Sequence, residues 1–241
     1  MVNKNENSVI NSVKHIGLIM DGNRRWAKAN GLDFFTGHKK GAETAKLIIK
    51  TAIEEKIQNL TLFAFSSENW KRLATEVEDL MELLKYFLRS EINNLVKNGI
   101  KLKILGDISL FPREIKDNLN LALSKTDKNN KLNLIIAINY GSRQEITNSI
   151  KNISKKIINK DLKIEDINEN LVSSFLYTSG IPDPDLIIRT GGDSRLSNFL
   201  LWQSAYSELI FVDKPWPEFK KEDFLSALYE FKKRERRFGG C

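Results

Sequence analysis

Four short runs of this 241-residue chain bring together side chains able to handle phosphate. The first is Asp21-Gly22-Asn23-Arg24-Arg25-Trp26. Glycine lets the backbone turn sharply and approach a ligand, the amides that follow would point an incipient helix at an anion, and two arginines add charge-assisted hydrogen bonds to phosphate oxygens. Asp21 does not suit an anion by itself. It does if a hard cation such as Mg²⁺ bridges the two, because that ion takes one or two carboxylates together with phosphate oxygens. A helix-capping Asp followed by solvated arginines explains the run equally well. In the second run, Gly37-His38-Lys39, His38 either contacts phosphate or merely opens the helix behind it.

The third run sets Ser66, Ser67, Glu68, Asn69, Trp70 and Arg72 directly after the apolar Phe65. Its hydroxyls and amide can orient a substrate or pass a proton, and Arg72 can hold phosphate. The alternative is an ordinary polar loop, in which Trp70 sits awkwardly, since a large ring usually has something to cover. The fourth run, Arg189-Thr190-Gly191-Gly192-Asp193-Ser194-Arg195-Leu196-Ser197-Asn198, offers arginines, glycines and hydroxyls for a second anion site. Downstream, Glu208 is either a second metal ligand or a carboxylate at a strand edge.

The elements that must position these runs are legible as alternating patterns. Apolar runs at 15–20, 60–65, 101–105, 132–139, 186–189 and 209–212 read as strands. Helical periodicity covers 41–56, 76–97, 112–124, 143–158 and 221–236, while 152–170, crowded with Lys and Asn, reads as a surface connection. Strands apolar throughout and separated by helices imply an α/β fold, a mostly parallel sheet covered on both faces. Ligands then bind beyond the carboxyl ends of strands, which singles out the residues after Met20, Phe65 and Ile188.

Composition narrows the class. Hydrophobic residues make up 41% of the chain, enough for one large core, and no run approaches the roughly 18 apolar residues that span a bilayer. The polar N-terminus carries no signal-peptide pattern, so residues 1–13 are expected to be a flexible tail before a single domain at 14–241, and the protein is expected in the cytoplasm. The single cysteine, Cys241, rules out a disulfide framework. A net charge of +7 suits either an anionic partner or solvated lysine faces. Nucleic acid is the competing partner class, but no helix-turn-helix, RNA-recognition or zinc signature is present.

Taken together, His-Ile-Gly-Leu-Ile-Met-Asp-Gly-Asn-Arg-Arg-Trp at 15–26, Gly-His at 37–38, Phe-Ser-Ser-Glu-Asn-Trp-Lys-Arg at 65–72, Ile-Ile-Arg-Thr-Gly-Gly at 187–192, Arg-Leu-Ser-Asn-Phe-Leu-Leu-Trp-Gln at 195–203 and Arg-Arg-Phe-Gly-Gly at 236–240 resemble the cis-prenyltransferase family. The resemblance implies a homodimer with an elongated hydrophobic tunnel, lengthening an allylic diphosphate such as farnesyl diphosphate with isopentenyl diphosphate, with Mg²⁺ as cofactor. The product implied is undecaprenyl diphosphate, a carrier lipid for cell-wall glycans, with short-chain or dolichyl-type products as alternatives. Peripheral association with the membrane would serve product release.

By position, Asp21 would be the catalytic aspartate beside Mg²⁺ and Asn69 would take part in the proton step. Gly22, Asn23, Arg24, Arg25, Trp26 and His38 would hold the allylic diphosphate. Ser66, Ser67, Glu68, Trp70 and Arg72 would position the substrates. Arg189, Arg195, Leu196 and Ser197 would hold isopentenyl diphosphate, and Glu208 would complete the metal site. The tail at Arg237-Phe238-Gly239 would reach the active site across the dimer. Two positions depart from the family pattern: Phe34 stands where an arginine is usual, and Ser194 where many bacterial members carry histidine.

Overall fold

The structure, a computed structural model, describes residues 13–236. The tail at 237–239 and Cys241 lie outside the described residues. Six parallel strands form one sheet in the order β3-β4-β2-β1-β5-β6. They are β1 (His15–Ile19), β2 (Asn59–Ser66), β3 (Ile100–Leu105), β4 (Leu132–Tyr140), β5 (Leu186–Arg189) and β6 (Glu208–Phe211). The helices are α1 (Asn23–Ala29), α2 (Phe34–Glu54), α3 (Ala74–Lys97), α4 (Arg113–Thr126), α5 (Ser142–Ile158), α6 (Glu169–Ser174) and α7 (Lys221–Lys233).

Central strands are buried from both sides, as their unbroken apolar sequences require. All of β1 and β5 is buried. On one face, Leu18, Leu62 and Ile136 pack in a cluster with Ile48 of α2, Ile92 of α3, Leu119 of α4 and Leu228 of α7. On the other, Ile19, Ile187 and Ala137 meet Phe199 and Leu200 in a smaller cluster, with Phe63 stacked on Phe199 at 4.7 Å between ring centroids. His15 anchors the amino end of the sheet: its Nδ1 is 2.6 Å from the Pro182 carbonyl and its Nε2 2.7 Å from Thr61 Oγ1. A carbonyl only accepts, so Nδ1 carries the proton and the Thr61 hydroxyl donates to Nε2. Burial pushes the imidazole pKa down to about 4.

Several sequence expectations shift. Helix α2 begins at Phe34 rather than Gly41, because the Asp33 carboxylate caps it by accepting the Thr36 N–H at 2.7 Å. Gly37 lies inside it as a contact point, since a Cβ there would come within 2.6 Å of the Asn23 carbonyl. His38 therefore sits in a helix instead of preceding one. The stretch expected as a surface connection holds the end of α5, a 3₁₀ turn at Ile164–Asp166 and the start of α6. Strand β6 starts at Glu208, one residue before the expected Leu209. No helix among the described residues is long and apolar enough to cross a membrane.

Candidate active site

Strands β2, β1 and β5 are neighbours, so the three expected ligand positions converge at adjacent tips. Ile19 pairs with Arg189, and Asp21 lies just beyond. Its Oδ2 accepts from Arg189 Nη2 at 2.8 Å and lies 3.1 Å from Arg25 Nη2, while Oδ1 accepts the Gly22 N–H at 2.6 Å. The Thr190 hydroxyl fixes the backbone here, donating to the Asp21 carbonyl at 2.8 Å. Gly22 has φ +103°, and a Cβ would lie 2.8 Å from Pro215 Cα, so only glycine makes this turn. Burial opposes ionisation of Asp21, but the hydrogen bond and charge of Arg189, with Arg25 and the Gly22 amide, outweigh it and hold the carboxyl below its ordinary value.

Arg189 is itself buried. Its Nη1 donates to Ser197 Oγ at 2.7 Å and to the Arg195 carbonyl, wiring the Gly-Gly loop to the strand tip. Arg195 reaches outward and grips Asp193 with two hydrogen bonds of 3.0 and 2.9 Å. Asp193 also lies 3.3 Å from Arg25 and 3.6 Å from Arg189. The β5 side is thus a knot of three arginines and two aspartates.

A second group of cations gathers across the cleft around Glu76, which is only 5% exposed in the first turn of α3. Glu76 takes Arg72 Nη1 at 2.5 Å and Arg24 Nη1 at 3.2 Å. In sequence the one mark of Glu76 as a site residue is its place four residues after Arg72, the spacing of a helical ion pair. His38 lines the same space, with its Nε2 buried and without a hydrogen-bond partner among the described residues. Burial, reinforced by the charge of Arg72, lowers its pKa to about 4, so the ring is neutral at neutral pH.

One cavity of about 920 Å³ joins the two groups. Asp21, Gly22, Asn23, Arg24, Arg25, His38, Ser66, Asn69, Arg72, Arg189, Arg195 and Ser197 all line it. Much of its remaining wall is apolar, formed by Leu62, Phe65, Ile136 and Ile138 of the sheet and by Leu80, Met81, Leu84 and Phe87 of α3. Strand β2 shifts register against β4 between Phe63 and Ser66, the kind of irregularity that re-aims side chains beside a site. Asn69 accepts the Ser66 N–H on its Oδ1 at 3.0 Å, which holds the polar loop in place.

Other expected residues stand off the cavity wall. Trp26 donates to Glu218 at 3.0 Å. Trp70 covers Phe65 and Phe111 and donates to Asn139 Oδ1 at 2.8 Å, so it pins the loop. Ser67 donates to Glu68 at 3.2 Å, Glu68 accepts from Asn198 at 2.8 Å, and Leu196 packs into the smaller core cluster. The expected pairing of Glu208 with Asp21 is not formed within the chain. Parallel register sets Glu208 level with Leu186, at the far end of β5 from Arg189, and its carboxylate accepts from Arg234 at 2.9 Å. Asn198 was quoted in the sequence only as part of a run. In the fold it joins three segments, because its carbonyl accepts from Ser142, its Oδ1 from Arg143, and its Nδ2 donates to Glu68 and Gln144.

Residues 19–239 match the prenyltransferase family model described as "Putative undecaprenyl diphosphate synthase". The chain belongs to the cis-prenyltransferase family. An isoprenyl transferase of Clostridium perfringens is 47% identical over 94% of this chain and 90% of its own length, and one from Clostridium tetani is 48% identical over 95% and 90%. Among solved structures, lavandulyl diphosphate synthase from Lavandula x intermedia, in complex with dimethylallyl diphosphate, superposes with a TM-score of 0.91 at 36% identity, covering 94% of this chain and 98% of that one. A probable undecaprenyl diphosphate synthase from Campylobacter jejuni does so with a TM-score of 0.78 at 35% identity and the same coverage. In this cis-prenyltransferase Arg24, Arg25, Arg72, Arg189 and Arg195 all line one cavity.

Among the described residues no group of three or more His, Cys, Asp or Glu is placed to cage a metal ion. A hard oxygen donor, the Asp21 carboxylate, does stand at the cavity wall, within the group that holds Arg25 and Arg189. That donor set fits an ion whose other ligands are phosphate oxygens and water, which is how Mg²⁺ is usually held.

Proposed function

We propose that this chain condenses isopentenyl diphosphate onto an allylic diphosphate, farnesyl diphosphate by preference, with Mg²⁺ as cofactor and a cis double bond formed at each addition. The observation that carries this reading is a single cavity lined both by two arginine groups and by an aliphatic and aromatic wall. Two diphosphates and a growing hydrocarbon need those surroundings together.

On this reading Arg24 and Arg72, with neutral His38, take the allylic diphosphate, and Arg195 with the loop around Ser197 takes isopentenyl diphosphate. Cleavage of the allylic C–O bond puts negative charge on the departing diphosphate. Guanidinium groups already fixed by Glu76 stabilise that charge more in the transition state than before it, without having to reorganise. Mg²⁺, held by Asp21 and diphosphate oxygens, would supply further positive charge to the leaving group. Leu80, Met81, Leu84 and Phe87 keep water from the reactive carbons and receive the lengthening chain. Asn69, whose Oδ1 accepts the Ser66 N–H, guides the proton that leaves as the new double bond forms. The hydrophobic tunnel, the homodimer and the cytoplasmic location of the family, with product passing to the membrane, belong to the same proposal.

The product proposed is undecaprenyl diphosphate, supported by the family model and by the Campylobacter jejuni structure. A short-chain product is the second reading, favoured by the higher TM-score against lavandulyl diphosphate synthase. Chromatography of the products from farnesyl diphosphate, labelled isopentenyl diphosphate and Mg²⁺ decides between them. A ladder ending in long chains is expected; a single addition would establish the short-chain reading, and no incorporation would end both.

A further inference from the structure

Phe34 opens α2 on the wall of the cavity and remains 37% exposed. The guanidinium carbon of Arg24 lies 4.5 Å from the centre of its ring. On its other side the same guanidinium reaches Glu76 Oε2 at 3.2 Å. A long arginine tethered by one ion pair can swing about that contact, and a second contact with a flat ring removes much of that freedom.

We propose that Phe34 is a positioning residue for the allylic diphosphate, acting by holding Arg24 through its π face. The residue type matters. A carboxylate in this place would consume N–H donors and cancel charge. An aromatic face attracts the guanidinium through its quadrupole and takes none of its hydrogen-bond donors. Arg24 is thereby fixed with donors left for phosphate, beside Arg72 and His38 on the same cavity wall. The substrate named here rests on the proposed reaction, whereas the contact between Phe34 and Arg24 does not.

The test compares Phe34→Leu, which keeps apolar volume and loses the ring, with Phe34→Trp, which restores a π face. An exposed cation–π contact predicts a two- to fivefold rise in KM for farnesyl diphosphate in Phe34→Leu. Turnover number and KM for isopentenyl diphosphate should stay at wild-type values, and Phe34→Trp should recover the lost affinity. Phe35→Leu, at a neighbouring ring 39% exposed and off the cavity wall, should change neither constant. An unchanged KM in Phe34→Leu, or an equal loss in Phe34→Trp, overturns the proposal. If the wild-type chain turns over no allylic diphosphate, the proposed reaction fails on its own. Calorimetry with inorganic pyrophosphate then decides the role of Phe34: weaker binding to Phe34→Leu than to wild type sustains it, and equal binding sinks it.

Discussion

The two arginine groups that face each other across the cavity are anchored in contrasting ways. Arg24 and Arg72 hang on Glu76, a buried carboxylate built into a long helix. Arg25, Arg189 and Arg195 hang on Asp21 and Asp193, which stand at a strand tip and in a glycine loop and remain partly open to solvent. The first anchor is shielded and belongs to a rigid element. The second consists of carboxylates that themselves face the cavity. On the helix side, then, the acid is hidden behind its cations; on the loop side, the acids stand among their cations at the cavity wall. The contrast teaches that a cationic site can be kept assembled without ligand either by hiding the counter-charge or by placing it where the ligand will meet it.

The sharpest way to break this comparison is Asp21→Ala, which removes the carboxylate shared by Arg25, Arg189 and the proposed ion. Turnover is expected to fall by about three orders of magnitude, on the scale of losing a principal electrostatic group, with the fold retained by circular dichroism. Near-normal turnover would place the chemistry elsewhere. Glu76→Gln should come next. It frees Arg24 and Arg72 and raises KM for the allylic substrate by about tenfold or more, the worth of a hydrogen bond to a charged group, while KM for isopentenyl diphosphate stays put. Arg195→Ala should show the mirror image, a rise of about tenfold confined to isopentenyl diphosphate. If both variants raise both constants equally, the two groups are one site.

The smallest effect is a pH effect on stability. His15 and His38 both have folded pKa values of about 4, below the ordinary value of 6.5. As pH falls from about 6.5 toward 4 the unfolded chain takes up these protons first, so stability is present at neutral pH and lost across that window. Thermal melting should show a Tm that drops between pH 7 and pH 5. His38→Gln should flatten part of this slope, and the portion due to His15, at the other end of the sheet, should remain. An unchanged slope would mean that His38 is not held neutral by its surroundings.

Much of this was written in local sequence. Strand positions, the parallel sheet and the Asp21, Arg72 and Arg189 runs could be read because apolar continuity and dense polar chemistry are short-range signals. What escaped depends on contacts between distant segments. Gly37 and Gly41 mimic a helix boundary and are contact points inside α2. Glu76 looks like a surface acid until Arg24 arrives from another helix. Trp70 does cover something, but it covers Phe65 and Phe111 and stands off the cavity wall. Glu208 opens the last strand, and the parallel register sets it level with Leu186, at the opposite end of the sheet from Arg189.

The side-chain amide of Asn198 has one further consequence. Because it clasps the loop after β2, the head of α5 and the segment bearing Arg195 in a single hand, none of the three can travel far alone. A ligand that pulls the Arg195 segment inward must either carry Glu68 and the first turn of α5 along with it or break those bonds.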